Sequence, residues 1–389
     1  MEAQYGPIPE SPDNVQRLRQ LVLSTDKLQK AGYVLSPLSS SELEKKRRCE
    51  RCTRVLKPPR KDKPSGAKTS IVAPNASTSF NLKQARHVHA TSAEEAQSLR
   101  EFDQAFEDLT ISLPAAPSKP AEVVLRCKFH PGIVANRKWT CCGNFMFAKP
   151  CAGEELHHPR QYTTGELEEN WSFHITPLAP PASPRAAAVA IDCEMGTAAS
   201  GESELIRVSV IDYFSRRILL DSLVWPDVKM AHYNTRFSGI SKQVMDDACR
   251  RRRCLFGRAE ARRAVWRFVG PDTVVIGHAL HQDLTSLRWI HPLVVDTLIL
   301  EKTKRGLELQ AETAKAEKAE IAEQGDDQEP GQGGEAAAKN EGGLSLKMLA
   351  AQRLNRAIQI KGRGHDSVED ALATRDLLHW HVLNPVQGW

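Results

Sequence analysis

The chain is expected to fold as an α/β layered domain over residues 186–389, and three observations carry that expectation. Short, β-branched apolar runs alternate with segments whose apolar residues recur at helical spacing. The first run ends in Asp192-Cys193-Glu194, two carboxylates one residue apart on what reads as a buried strand. Later acidic residues, Asp283 and Asp370, fall just after a strand or loop, in the opening turn of a predicted helix.

Taken in order, the pattern predicts strands at 187–192, 204–212, 216–224, 273–277 and 293–297, with helices at 241–249, 257–269, 281–289, 345–354 and 367–382. In the first strand, residues i and i+2 face the same side, so Asp192 and Glu194 can share one divalent cation while Cys193 turns into the core. Thr273-Val274-Val275-Ile276-Gly277 is short and β-branched, and Ala279-Leu280-His281-Gln282-Asp283 after it opens a helix that presents a third carboxylate. In Gly364-His365-Asp366-Ser367-Val368-Glu369-Asp370, either Asp366 or Ser367 can cap a helix whose apolar face includes Val368, Leu372 and Leu378. His365 and Asp370, five apart, can converge only if His365 sits in the loop before the helix and Asp370 in its first turn.

Four carboxylates on three elements, with one loop histidine, match the needs of two-metal phosphodiester hydrolysis. The carboxylates hold two ions roughly 3.5–4 Å apart, and an imidazole titrating near neutrality takes the proton of the attacking water. Plainer readings stand beside this one: Asp370 completing a capping box with Ser367, and His365 as an exposed loop residue.

Asp192-Cys193-Glu194-Met195-Gly196, Gly277-His278-Ala279-Leu280-His281-Gln282-Asp283-Leu284 and Gly364-His365-Asp366-Ser367-Val368-Glu369-Asp370-Ala371 resemble the three exonuclease motifs of the DEDDh (DnaQ-like) 3′-5′ exonucleases, specifically the Rex-type RNA exonucleases. The resemblance covers about residues 186–300 and 343–381. It implies a ribonuclease H-like, mixed five-stranded sheet flanked by helices. It also implies Asp192, Glu194, Asp283 and Asp370 as ligands of two Mg²⁺ or Mn²⁺ ions, His365 as general base, and Met195, His278 and Arg236 as nucleic-acid contacts. The segments 233–240 and 295–297 are similar to family stretches between the motifs. Gln282 departs from the asparagine that many relatives carry there.

The chain has 389 residues and a formal charge of +5, mildly basic and compatible with a polyanionic partner without demanding one. No apolar run approaches the length of a membrane span, and the N-terminus lacks a secretory pattern, so no membrane partner is expected. The nucleus is the expected compartment, with the cytoplasm as the alternative; oligomeric state is left open.

The nine cysteines are unevenly spread. Cys49, Cys52, Cys127, His130, Cys141, Cys142, Cys151 and one of His157 or His158 make eight soft ligands, enough for two tetrahedral Zn²⁺ sites. Neighbours in sequence usually point apart, so Cys141 and Cys142 are expected to serve different ions. Cys193, Cys249 and Cys254 fall outside this pattern. Rex-type exonucleases often carry such a module N-terminal to the nuclease, and its spacing is also similar to CHORD-type zinc modules.

The expected organisation is an N-terminal helical segment at 1–48, a zinc-binding module at 49–160 with a long low-complexity insert at 53–121, a linker at 161–185, and the exonuclease domain at 186–389 with a flexible insert at 303–342. One helix is expected near 92–106. Lys45-Lys46-Arg47-Arg48 reads as an import signal, a nucleic-acid contact or solvated charge. Arg250 to Arg253, Arg258, Arg262, Arg263 and Arg267, with Trp266 and Phe268, read equally as a phosphate-tracking edge or as a solvated face beside core aromatics. The leading expectation is a 3′-5′ exoribonuclease acting on single-stranded RNA 3′ ends in RNA processing or turnover. The alternatives are an exonuclease acting chiefly on DNA and a zinc-dependent scaffold with a degenerate nuclease domain.

Overall fold

The computed structural model describes residues 5–56, 124–178, 185–323, 343–360, 362 and 364–385, of which 316–323 by their backbone. The chain divides into two compact units, 1–56 with 157–389, and 57–156. The helix expected at 92–106 and the stretch 326–334 lie outside the described residues.

The larger unit is built on a mixed sheet. Strands β1 (Ala188–Ala198), β2 (Ser203–Asp212) and β3 (Ile218–Trp225) form an antiparallel meander. Strands β4 (Cys254–Phe256), β5 (Val274–Gly277) and β6 (Val294–Asp296) complete the order β4-β3-β2-β1-β5-β6, with β5 parallel to β1, β6 parallel to β5 and β4 parallel to β3. The strands expected from the sequence are the 3-2-1-4-5 arrangement at its heart, that of a ribonuclease H-like domain. The edge strand β4 and the short strand Met230–His232, which pairs with the end of β1, are additions the sequence reading missed. Both are three residues long, too short for period-two alternation to register.

Four successive residues of β1, Ala188 to Ile191, are buried although neighbours in a strand face opposite sides. Both faces of the sheet are therefore covered. Helix α6 (Gly257–Trp266) packs on β2, β3 and β4, whereas α10 (Ser367–Leu383) packs on β1, β2 and β5. Between them in sequence lie α7 (His281–Ser286), α8 (Thr297–Glu323) and α9 (Leu346–Leu354). Helix α8 carries the start of the segment read as a flexible insert, which is helical to Glu323.

Two boundaries move. The N-terminal helices α1 (Pro12–Gln20), α2 (Thr25–Lys30) and α3 (Ser40–Glu44) are capped by Ser11, Ser24 and Ser39. They are no separate segment, because Leu18, Leu23, Leu28 and Tyr33 are buried in the core of the sheet. Residues 161–178, read as linker, form α4 (Glu166–Asn170) and a strand, His174–Ile175, paired with Trp289–Ile290. Their aromatics explain it: Leu167, Trp171 and Phe173 bury against Ile290, and the Arg288 guanidinium lies 3.9 Å over the Trp171 ring.

The basic run at 45–48 is similarly occupied. Lys46 stacks over Trp171 at 4.2 Å, Arg47 pairs with Glu44, and Arg48 donates to the Thr53 carbonyl. Among the described residues no helix is long and apolar enough to cross a membrane.

In the smaller unit, strand Cys127–Phe129 pairs with Ala152–Glu154, and Val134–Ala135 forms a hairpin with Lys138–Trp139.

Candidate active site

β5 pairs with β1 only as far as Ile276 and Ala190. Three residues further along β1, the N–H of Cys193 donates to Asp283 Oδ1 at 2.9 Å. The carboxylate of α7 thus takes over where the neighbouring strand stops, and it arrives beside Asp192 and Glu194. The turn that delivers it is held by Asp296 at the end of β6, whose buried carboxylate accepts the N–H groups of Ala279 and Leu280 and the Tyr33 hydroxyl.

The third motif enters through a loop that only glycine permits. Gly364 adopts φ +76°, and a Cβ there would meet Gly239 Cα at 2.5 Å. This close approach lets the His365 N–H donate to the Phe237 carbonyl. Asp366 is the cap of α10, accepting the Val368 N–H at 3.1 Å, which settles the choice between Asp366 and Ser367. Asp370 then lies in the first turn and faces inward: Glu194, Asp370 and His365 gather with ligand atoms within 4.8 Å of one another. His365 Nδ1 is 3.9 Å from Asp370 Oδ2.

Electrostatics tie the four carboxylates together. Burial raises the Asp192 carboxyl well above its ordinary range, and Asp283, Asp370 and Glu194 raise it further. Burial and Asp370 push Glu194 up to about 8, opposed by Arg207. Burial takes Asp283 to about 8 against the Cys193 N–H, and Asp370 to about 6 against a hydrogen bond from Gln359. Asp370 Oδ1 is buried without a hydrogen-bond partner. An all-oxygen donor set of mutually repelling carboxylates, one with an orphaned oxygen, fits hard divalent cations. Burial and Lys347 lower the His365 imidazole below its ordinary value, keeping it neutral near pH 7.

Two residues beside the site were missed in the sequence. Arg207 on β2 lies opposite Glu194, binds Asp221 through Nε at 2.9 Å and Nη2 at 3.0 Å, and reaches Asp366 at 3.2 Å. Only pairing of β1 with β2 could have revealed it. Phe237, 59% exposed, meets the His365 ring edge-on at 6.4 Å. A groove of about 570 Å³ opens here, lined by His365, Arg207, Gly239, Val244, Arg253 and Ile360.

The expected nucleic-acid contacts fare differently. Arg236 is exposed, with its guanidinium 5.7 Å from the Phe237 ring. Met195 is half-buried, and its carbonyl accepts from Asn234. His278 is corrected: its two ring nitrogens are engaged by Thr297 Oγ1 and the Leu344 carbonyl, so it holds the β5–α7 turn to the chain before α9. The arginine-rich segment is split. Arg258 forms an ion pair with Glu204 and Arg262 is buried on the Leu287 carbonyl, whereas Arg263 and Arg267 are exposed. A larger cleft of about 1010 Å³ beside Arg258 and Arg288 contains none of the motif carboxylates.

The cysteine ligands also gather. In the smaller unit, His130, Cys141, Cys142 and Cys151 lie with ligand atoms within 4.8 Å of one another. His130 Nδ1 is 3.6 Å from both Cys141 Sγ and Cys142 Sγ. The adjacent cysteines therefore share one cluster, contrary to expectation, because they lie in a turn closed by Gly143 N–H to Trp139 O rather than in a strand. In the larger unit, Cys49, Cys52 and His157 gather, with Cys52 Sγ 3.3 Å from His157 Nδ1, so His157 rather than His158 is the ligand candidate. Cys127 is buried on its strand in the smaller unit.

No family model matches the chain. It is 27% identical to RNA exonuclease 3 of Candida albicans, over 67% of this chain and 55% of that protein. It is 32% identical to the human apoptosis-enhancing nuclease, over 49% of this chain and 48% of that one. The chain thus spans about half the length of these curated relatives. Among solved structures, the catalytic unit of Neurospora crassa Pan2 (protease and nuclease domain) is similar over 54% of this chain and 29% of that chain, at 21% identity and a TM-score of 0.36. With its three motifs converging at the end of β1 and its likeness to these nucleases, the chain resembles the DEDDh (DnaQ-like) 3′-5′ exonucleases.

Proposed function

We propose that this protein is a metal-dependent 3′-5′ exoribonuclease that removes nucleoside monophosphates from single-stranded RNA ends. The observation that carries the proposal is the convergence of Glu194, Asp370 and His365, with Asp192 and Asp283 coupled to the same cluster. The names of the matched relatives support the choice of RNA.

Asp192, Glu194, Asp283 and Asp370 would hold two Mg²⁺ or Mn²⁺ ions. Such ions, when bound, supply a nucleophile at neutral pH and stabilise charge on the leaving oxygen. The chain's own groups do the rest. His365, neutral and held at the rim of the carboxylates by its N–H to Phe237, accepts the proton of the attacking water. Phe237 offers its ring to the terminal base in the adjoining groove, and Arg236 beside it meets the phosphate chain. Arg207 holds the His365 loop to β2 through Asp366.

Two structural zinc ions accompany this reading. One would be held by His130, Cys141, Cys142 and Cys151, a closed set with no open position for catalysis; for the other, Cys49, Cys52 and His157 would supply ligands. The deciding experiment compares degradation of matched 3′-terminal RNA and DNA oligonucleotides with and without Mg²⁺ or Mn²⁺. Metal-dependent release of monophosphates from RNA is expected; no hydrolysis of either polymer would defeat the proposal.

A further inference from the structure

The hairpin of the smaller unit carries a feature outside the exonuclease site. Asn136 and Arg137 both adopt positive φ, 49° and 61°, the geometry of a type I′ turn between Val134–Ala135 and Lys138–Trp139. A third segment adds to the hairpin: Trp139 N–H donates to Asn144 O, Met146 N–H to Arg137 O, and Lys138 bridges to Phe145.

Because faces alternate along a strand, this register separates two sets of side chains. On one face Val134 lies opposite Trp139, whose indole stacks on His130 at 4.2 Å and donates to Met146 O. On the other, Ala135, Lys138 and Phe145 are in register. Phe147 lies in the turn that follows, closed by the Ala148 N–H donating to the Phe145 carbonyl, and its ring sits 5.5 Å from Phe145 and edge-on to it. Phe145 is 51% exposed and Phe147 78%.

An exposed phenyl ring on the sheet and a second on the adjoining turn, with the stacked Trp139–His130 pair behind the sheet, make an aromatic ledge. Its surroundings are cationic. Lys138 stands in register with Phe145, Arg137 occupies the turn and Lys149 follows two residues after Phe147; residues 124–156 carry five Lys or Arg against two Glu. Aromatic faces interleaved with cations stack bases and neutralise phosphates with no demand on sequence. A neutral apolar partner would use the rings alone and leave this charge unmatched.

We propose that this ledge is a second binding site for single-stranded RNA, with bases stacked on Phe145 and Phe147 and phosphates on Arg137, Lys138 and Lys149. The choice of RNA as the polymer rests on the exoribonuclease reading; the ledge itself does not.

The test is equilibrium binding of a fluorescein-labelled U12 oligonucleotide to the full chain by anisotropy, without added divalent cations. Phe147→Ala should weaken binding roughly tenfold, the scale of one lost base stack. Phe147→Leu should behave like Phe147→Ala, and Phe147→Trp should bind at least as tightly as wild type. Lys138→Ala should lower the slope of log K against log salt by about one. Unchanged binding by Phe147→Ala, retained binding by Phe147→Leu or no binding of U12 by the wild type would each overturn the ledge as a base-stacking site. Trimming of a dinucleotide by the same proteins separates this from the active-site reading. Loss of trimming in the wild type sinks the exonuclease alone, whereas equal trimming by wild type and Phe147→Ala is the expected outcome.

Discussion

Asp283 Oδ1 accepts the Cys193 N–H at 2.9 Å, so a ligand candidate from the second motif is fastened to the backbone of the first between its two carboxylates. The hydrogen bond uses one oxygen as an acceptor from a neutral donor, a role an amide oxygen can also fill. Fastening and charge are therefore separable at this position.

Asp283→Asn should keep the fold, because its Oδ1 can still accept from Cys193, while activity falls by roughly 10³-fold. That factor corresponds to the several kcal/mol of charge stabilisation that a catalytic ion supplies. Rates should be compared with circular dichroism on the same preparations. Undiminished hydrolysis by a folded Asp283→Asn protein would remove the carboxylate from the mechanism.

His365→Ala is expected to cost on the order of 10²–10⁴-fold in kcat, the usual contribution of a general base. The wild-type rate should fall on acidification, since the base must be neutral. Burial and Lys347 lower the imidazole's pKa, so the part of that fall which His365→Ala removes should have its midpoint below the ordinary imidazole value. An unchanged rate and acid limb in His365→Ala would leave water activation to other groups.

The sheet and the motif carboxylates were legible because they rest on local signals: β-branched runs, caps and the i, i+2 rule. What stayed hidden depends on pairing between distant elements. Arg207 gains its meaning only opposite Glu194 and beneath Asp366, and residues 161–178 become part of the fold only because Trp171 and Phe173 find Arg288 and Ile290. His278 misled for the same reason, as its partners Thr297 and Leu344 are 19 and 66 residues away. Cys141 and Cys142 were separated by a strand rule that a turn does not obey.

Arg207→Gln should lower kcat about 10–100-fold with little change in KM, the scale of losing a residue that orients catalytic groups. Its guanidinium spans Asp221 and Asp366 at once, so Arg207→Lys should recover little, a lysine being a single point donor. Full activity in Arg207→Lys would show that charge beside Glu194, rather than the span, is what matters.

Elemental analysis of the washed protein should find close to two zinc ions per chain. Cys142→Ser should release one, because its thiol belongs to the four-residue cluster with Cys141 rather than to a separate ion. Loss of both ions from this single substitution, or of neither, would contradict the grouping.

The last expectation concerns acid stability and a buried histidine held by two threonines. His291 is 1% exposed and lies between Thr273 O, 2.8 Å from Nε2, and Thr176 Oγ1, 2.8 Å from Nδ1. The neutral ring satisfies both, with Nε2–H donating to the carbonyl and Nδ1 accepting from the hydroxyl. Protonation would add a second N–H facing that hydroxyl and bury a charge. Burial accordingly lowers the His291 pKa to about 4, despite the Thr273 carbonyl. The unfolded chain takes up the proton near the ordinary 6.5, so between these values it binds more protons than the folded one. Stability present above pH 6.5 is therefore lost as pH falls toward 4, by up to about 3 kcal/mol from this residue. Denaturation of wild type and His291→Gln at pH 7.5 and pH 5 isolates the effect, because the carboxylates titrate alike in both. At pH 7.5 the variant should be less stable by about 1–3 kcal/mol for its disturbed hydrogen bonds, and its acid slope should be shallower by nearly one proton. Parallel slopes would show that His291 takes up its proton as readily in the folded chain as in the unfolded one.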